Sequence, residues 1–275
     1  MSAPPTELHA VLPSEHADLD PHLVVGLARR AEDLGYRGVW LPDHPLPPRG
    51  YGGGYGGALE PVVTLTAVAA ATRAVRLGTS VLILPLRDPF LLAKQAATLD
   101  RLAPGRLVLG VGAGWEAREF AALGADFADR GARTDEALRL LRHLHTVGRG
   151  PFAGDRFGFT DGEFAPLPAT PVPLLVGGTS PAALRRAARY ADGWQAVGLD
   201  PEAFGAAARD LRARAGRPVE AGARTEAATL DGVPAAAERV RAFAAAGADH
   251  VAVWFGAPEG YADRMAALAR ALDTG

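Results

Sequence analysis

The sequence contains no cysteine, which excludes disulfides, thiolate catalysis and cysteine-ligated zinc. Lysine is almost absent too: Lys94 stands alone, and every other basic side chain apart from histidine is arginine. No apolar run approaches the ~18 to 20 residues that span a bilayer. Neither sign of charge dominates, since 29 Lys and Arg against 31 Asp and Glu leave a net charge of −2. That balance gives no electrostatic footprint for nucleic acid or an anionic membrane, and neither is expected as a partner. Met1 to Thr6 carries no basic segment followed by an apolar one, so no export signal is expected and the cytoplasm is the expected location. No GxSxG elbow occurs, and the glycine run at 110–114 has GxGxG and not GxGxxG spacing, with no GK[ST] after it. The seven histidines (His9, His16, His22, His44, His143, His145 and His250) do not fall beside carboxylates at a metal-ligand spacing. His143 and His145, two apart on a helix, point in different directions. No metal site is expected.

What is present is an alternation. Short, continuously apolar runs occur at Leu8 to Leu12, Val39 to Leu41, Val75 to Leu84, Leu107 to Val111, Leu174 to Val176, Trp194 to Val197 and Val251 to Phe255. Such runs suit parallel strands covered on both faces. Amphipathic segments lie between them, with stripes such as Leu23, Leu27, Ala31 and Leu34, or Met265, Leu268, Ala269 and Leu272. Asp20-Pro21, Asp88-Pro89, Ser180-Pro181 and Asp200-Pro201 each set a capping side chain before a proline at the first helical position. Glu60-Pro61, Val233-Pro234 and Ala257-Pro258 look like helix starts without a good cap. Gly35, Gly216 and Gly247 mark helix ends. Seven strands are clear and an eighth falls between Val219 and Leu230. Repeated strand–helix units with no glycine-rich turn after the first strand point to a closed barrel: an α/β fold, one (β/α)8 TIM barrel over residues 1–275. Residues 148–171 read as a long excursion between units, and Arg49 to Ala58 as a Gly/Tyr loop after the second strand.

Function in such a barrel sits on the loops after the strands. Four strand ends stand out. Asp43 and His44 close the second strand, where a histidine can exchange a proton near neutral pH or simply tie down the loop. Thr79 and Ser80 interrupt an apolar third strand, as a bulge or close ligand approach would, or as an internal hydroxyl layer. Gly110, Gly112 and Gly114 form a GxGxG that lets backbone approach an anion or a planar ring, or makes a packed turn. Gly177, Gly178, Thr179 and Ser180 lead into a helix N-terminus suited to phosphate, although Ser180 also serves as a plain cap.

Taken in order, LARRAEDLGYRGVWLPDH, TRAVRLGTSVLILPLRDPFLLAKQAATLDRLAPGRLVLGVGAGW and PLLVGGTSPAALRRAARYADGWQAV resemble the luciferase-like monooxygenase superfamily, and within it the branch that uses coenzyme F420, a deazaflavin. The resemblance covers nearly the whole chain. It implies a luciferase-like TIM barrel with a non-proline cis peptide at Ser80-Val81, pressed against the cofactor's middle ring beside Thr79. It implies that Gly110, Gly112, Ala113, Gly114, Gly177, Gly178, Thr179 and Ser180 hold the cofactor's side chain and phosphate. His44, with Asp43, matches residues beside the reactive carbon. Two positions depart from the sugar-phosphate dehydrogenases of that branch: Pro48 stands where they carry tryptophan, and Trp115 where they carry glutamate. With one lysine in the chain, their phosphate-binding lysines cannot all be present, so sugar-phosphate oxidation is not the expected reaction.

The expected activity is therefore an F420-dependent oxidoreductase, reducing an activated C=C or C=N bond of a small molecule or modified peptide. Asp43 and His44 are the candidate catalytic residues. Tyr51 and Tyr55 belong to an expected lid, and Glu60, Trp115 and Arg118 to the substrate pocket. An FMN-dependent monooxygenase and a non-catalytic flavin-binding protein are the alternatives, and a homodimer is carried over from the family.

Overall fold

The computed structural model describes residues 5–15, 18–47 and 59–273. The chain opens with β1 (Glu7–Val11), α1 (Pro21–Asp33), β2 (Gly38–Leu41) and α2 (Pro61–Ala71). It continues through β3 (Arg76–Thr79), β4 (Leu82–Ile83), α3 (Pro89–Leu102), β5 (Leu107–Gly112), α4 (Ala117–Ala122) and α5 (Arg130–Thr146). After a small β6 (Phe152–Ala153) and β7 (Gly158–Phe159) come β8 (Leu174–Gly177), α6 (Pro181–Tyr190), β9 (Gly193–Val197) and α7 (Pro201–Ala215). The last units are β10 (Glu220–Glu226), α8 (Val233–Ala245), β11 (His250–Trp254) and α9 (Tyr261–Asp273). β3 and β4 share one strand position. Counted so, eight parallel strands run in the order β3, β2, β1, β11, β10, β9, β8, β5, and the pairing of β3 with β5 closes the ring. The fold is a TIM barrel.

Local chemistry explains the boundaries. Asp20, Asp88, Ser180 and Asp200 each accept a first-turn amide ahead of a proline. Glu60 does the same for the Val63 amide, so α2 is better capped than its sequence suggests. α9 starts at Tyr261 and not at Pro258, because a turn between Gly256 and Gly260, both at positive φ, intervenes. Gly35, Gly216 and Gly247 all take positive φ just past helix ends. The buried face of α1 is Val24, Leu27, Ala28 and Ala31; Leu23, expected in that stripe, faces outward. The excursion at 148–171 holds the antiparallel β6–β7 pair, tied to α5 through Glu136, which accepts the amides of Asp155, Arg156 and Phe157.

The inside of the barrel is polar at its lower end. Arg76 grips Glu220 through two nitrogens at 2.8 and 2.9 Å. His250 Nδ1–H donates to Glu220 at 2.7 Å, and His9 Nε2–H donates to Glu7 at 2.9 Å. The Trp40 indole N–H donates to His9 Nδ1 at 2.9 Å, and the His9 and His250 rings stack at 4.7 Å. Burial pushes His9 down to about 4 against the pull of Glu7. Burial would raise the Glu220 carboxyl, but the hydrogen bonds from His250 and Arg76 hold it well below the usual carboxylate range. Missing side chains make the room: a Cβ on Gly222 would lie 2.0 Å from His250, and one on Gly78 2.0 Å from Trp40. Above this layer Val11, Trp40, Val108, Leu175 and Ala252 pack with Val81 and Trp254.

Candidate active site

The third strand position breaks where the site begins. Pairing of Gly78 with Val108 and of Leu82 with Val111 leaves four steps on one strand against three on the other, the count of a bulge. The Ser80-Val81 peptide within it is cis. One continuous strand to Leu84 was expected; instead β4 ends at Ile83 and Leu84–Leu86 is a 3₁₀ turn. The neighbouring glycines answer to this bulge. A Cβ on Gly110 would lie 1.9 Å from the Thr79 carbonyl, while the Thr79 hydroxyl donates to the Gly110 carbonyl at 2.7 Å. Cβ atoms on Gly112 and Gly177 would come within 2.8 and 2.7 Å of the Val81 methyls. Val81 therefore lies across two bare backbones, half-buried on the floor of the mouth. Gly114 turns at positive φ against Ile83 and Phe120, and Ala113 beside it is half-buried.

From below, the bulge is held by a column of polar groups. The Ser80 hydroxyl donates to Gln195 Oε1 at 2.5 Å, and the Gln195 amide bonds His250 Nε2 at 3.3 Å. Arg224 reaches the Ser80 carbonyl at 3.3 Å. Neither Gln195 nor Arg224 stands out in the sequence. Their positions are set by the alternation of inward side chains along β9 and β10, and β10 reads poorly as a strand because its inward residues are Glu220, Gly222 and Arg224.

Next to the bulged strand, β2 delivers Asp43 and His44. Asp43 is buried, and it accepts the Ile83 amide at 2.9 Å and two Arg87 nitrogens at 3.2 and 2.7 Å. Arg87 also bonds Glu60, the cap of α2, at 2.8 Å. Burial pulls the Arg87 guanidinium down, yet Asp43 and Glu60 more than offset it and hold it above its ordinary value. Asp43 and Glu60 thus share one cation that ties β2, β4 and α2 together. His44 is placed differently. Its Nδ1 lies 2.8 Å from Oε2 of Glu119, a carboxylate on α4 that is only 1% exposed. The other Glu119 oxygen accepts the Leu46 amide at 2.9 Å. A carboxylate only accepts, so Nδ1 carries the proton and Nε2 is left as the exchangeable atom. Trp115, half exposed, meets the His44 ring edge-on at 5.7 Å. Glu119 escaped the sequence reading because it lies 75 positions from His44; its signal was an acidic residue in the first turn after the glycine-rich strand end. Arg118 pairs with Glu116, the cap of the same helix.

On the β8 side, Thr179 and Ser180 are exposed, Gly178 turns at φ 109°, and Ser180 caps α6 at Ala183. The Gly178 carbonyl accepts the Trp194 indole N–H at 2.7 Å, which fixes the turn. Tyr51 and Tyr55 lie outside the described residues, as does Pro48.

A sequence profile described as luciferase-like monooxygenase matches residues 6–273. The chain belongs to the luciferase-like monooxygenase family. An uncharacterised protein of Mycobacterium tuberculosis is 37% identical over 209 residues, covering 70% of this chain and 72% of that one. A protein of Amycolatopsis mediterranei named F420-dependent glucose-6-phosphate dehydrogenase is 37% identical over 178 residues, covering 63% of this chain. The match spans about half, 53%, of that relative. Among solved structures, an F420-dependent secondary alcohol dehydrogenase in complex with an F420-acetone adduct superposes with a TM-score of 0.82. It covers 98% of this chain and 99% of its own at 19% identity, a likeness of fold.

Proposed function

We propose that this luciferase-like barrel is an F420-dependent oxidoreductase that reduces an activated C=C or C=N bond of a small molecule or modified peptide. The observation that carries the reading is the buried Glu119 holding His44 by Nδ1 beside the bulge, with Nε2 free. Names of relatives support the cofactor. So does the floor, where Val81 crosses Gly112 and Gly177 in space that two Cβ atoms would fill. When bound, a deazaflavin supplies or takes up a hydride; the rest of the work falls to the chain.

In this reading Val81, with Thr79 and Ser80, supports one face of the ring system, and Gln195 holds the Ser80 hydroxyl from beneath. Ala113 and Gly114, with the turn Gly177, Gly178, Thr179 and Ser180, receive the polar tail, the last of these at the N-terminus of α6 where amides favour phosphate. Gly110 contributes by yielding space to the Thr79 carbonyl. His44 Nε2 gives or accepts the proton that accompanies hydride transfer, oriented by Glu119. Asp43 acts indirectly, by fixing the strand end through Ile83 and Arg87. Trp115 borders the substrate beside His44, while Glu60 acts through Arg87. Residues 1–275 act as a single barrel domain, and a cytoplasmic homodimer is the working assembly; sedimentation of the purified protein checks the latter.

The test is turnover of reduced F420 with a panel of α,β-unsaturated carbonyl and imine acceptors, with dissolved oxygen followed in parallel. Acceptor-dependent F420 oxidation without oxygen consumption supports the reading. Oxygen consumption coupled to substrate oxidation with reduced FMN would replace it with a flavin monooxygenase, and tight cofactor binding without any turnover would make the protein a carrier.

A further inference from the structure

The polar column beneath the bulge runs in one direction, and that direction is set at its lower end. Arg76 and His250 hold Glu220 as a carboxylate, which only accepts. His250 therefore carries a proton on Nδ1, 2.7 Å from Glu220. At its other edge two nitrogens face each other, His250 Nε2 and the Gln195 amide nitrogen, at 3.3 Å. The amide brings the hydrogen, so Nε2 is bare and accepts. The opposite end of the same amide, Oε1, can only accept, and it takes the Ser80 hydroxyl proton at 2.5 Å. One carboxylate at the bottom thus dictates which way a hydroxyl at the floor points.

The sheet makes this contact possible. His250, Gly222, Gln195 and Gly177 stand in one row across β11, β10, β9 and β8. Gly222 lies between the two polar residues, and a Cβ there would come within 2.0 Å of His250 Nε2, the atom that meets Gln195. The His250 ring is fixed further by stacking on His9 and Trp40, at 4.7 and 5.4 Å. Gln195 and His250 are both buried. Turning the amide over would set its oxygen against the bare Nε2, lone pair to lone pair and away from water. The second hydroxyl of the bulge is committed in the same way, since Thr79 donates to the Gly110 carbonyl at 2.7 Å.

We propose that Gln195 and His250 are positioning residues that keep the Ser80 hydroxyl proton turned down the barrel, so that Thr79 and Ser80 offer the mouth lone pairs and no O–H donor. This assignment rests on the F420 reading and deepens it. A floor without a free hydroxyl proton leaves proton exchange to His44 Nε2, whose partner Glu119 stands outside the column. Neither Gln195 nor His250 touches the reacting atoms; both act through Ser80, as outer partners orient the groups that do.

The test has two arms. In cofactor-free protein carrying isotope-labelled histidine, two-bond nitrogen–proton spectra at neutral pH should show His250 protonated on Nδ1 and bare on Nε2, its signals assigned by their loss in His250→Gln. Gln195→Glu sets an acceptor against Nε2 and should add a second proton there, while still accepting from Ser80. In the other arm F420 is titrated by fluorescence and absorbance. Gln195→Met keeps the side chain's length but frees the Ser80 hydroxyl. It should shift the bound absorbance maximum and change F420 affinity at least about threefold, and Gln195→Glu should restore both. Ser80→Ala leaves no hydroxyl to turn, so adding Gln195→Met to it should change neither quantity further. A Gln195→Met effect that persists in the Ser80→Ala background assigns Gln195 to packing and overturns the proposal. So does Gln195→Met without effect, a wild-type His250 protonated on Nε2 alone, or a Gln195→Glu variant whose ring keeps one proton. If Gln195→Met does not fold, the histidine spectra of Gln195→Glu decide. Failure of the wild type to bind F420 is a separate result: it sinks the oxidoreductase reading, while the spectra of cofactor-free protein still report on the column.

Discussion

Replacing His44 by alanine should lower turnover about 10²- to 10⁴-fold, the span of a lost general acid or base, while cofactor affinity stays within a few-fold. Stopped-flow turnover and a fluorescence titration of the same preparation check this; unchanged turnover with cofactor bound contradicts it. Glu119→Gln keeps the shape but no longer requires the proton on Nδ1, since an amide can donate as well as accept. Its turnover should fall at least roughly tenfold, and its pH–rate profile should change shape. His44 was legible in the sequence because it ends a strand. Its partner was not, because linear spacing carries no information about a contact that spans two barrel units. The same blindness hid the pairing of His9 with Glu7 and of His250 with Glu220, although Glu7 and His9 lie two apart on one face of β1.

Among the elements, the broken third strand and the glycines around it form one unit. Gly110→Ala would set a methyl 1.9 Å from the Thr79 carbonyl, a backbone atom that cannot swing aside. A loss of about 3 kcal/mol or more in denaturant melts is the expected outcome. Gly112→Ala meets only a Val81 methyl at 2.8 Å, so stability should fall by about 1 kcal/mol while cofactor affinity suffers more, because the floor must shift. Equal effects of the two changes would contradict this division of roles. The GxGxG was visible in the sequence with two meanings, turn packing and ligand approach. The structure gives the first two glycines a steric reason before any ligand is considered. Strand β10 was the faint element for a related cause: it faces a polar interior, so its apolar signal is diluted on the inward side.

At the scale of the whole molecule, the polar lower layer couples folding to pH. Burial depresses His9 from an ordinary 6.5 to about 4, so the unfolded chain binds the extra proton between those values. Stability from this group is complete above the unfolded value and is lost as pH falls towards the folded one. The limit is about 3 kcal/mol. The depressed Glu220 acts in the same direction at lower pH. Denaturant melts should therefore weaken from pH 7 to pH 5, and His9→Gln should flatten that slope; an equal slope in the variant contradicts the assignment. The barrel itself was readable from the alternation of apolar runs and capped helices, since each unit obeys local rules. The polar filling of its interior was not, because it depends on which strands become neighbours when the ring closes.

The mouth of this barrel is proposed to take a deazaflavin for hydride transfer. Titrating the cofactor-free protein with F420 and with FMN, by cofactor fluorescence, tests it most directly. Micromolar binding of F420 at least about tenfold tighter than FMN is the predicted result, and a preference for FMN would contradict the account.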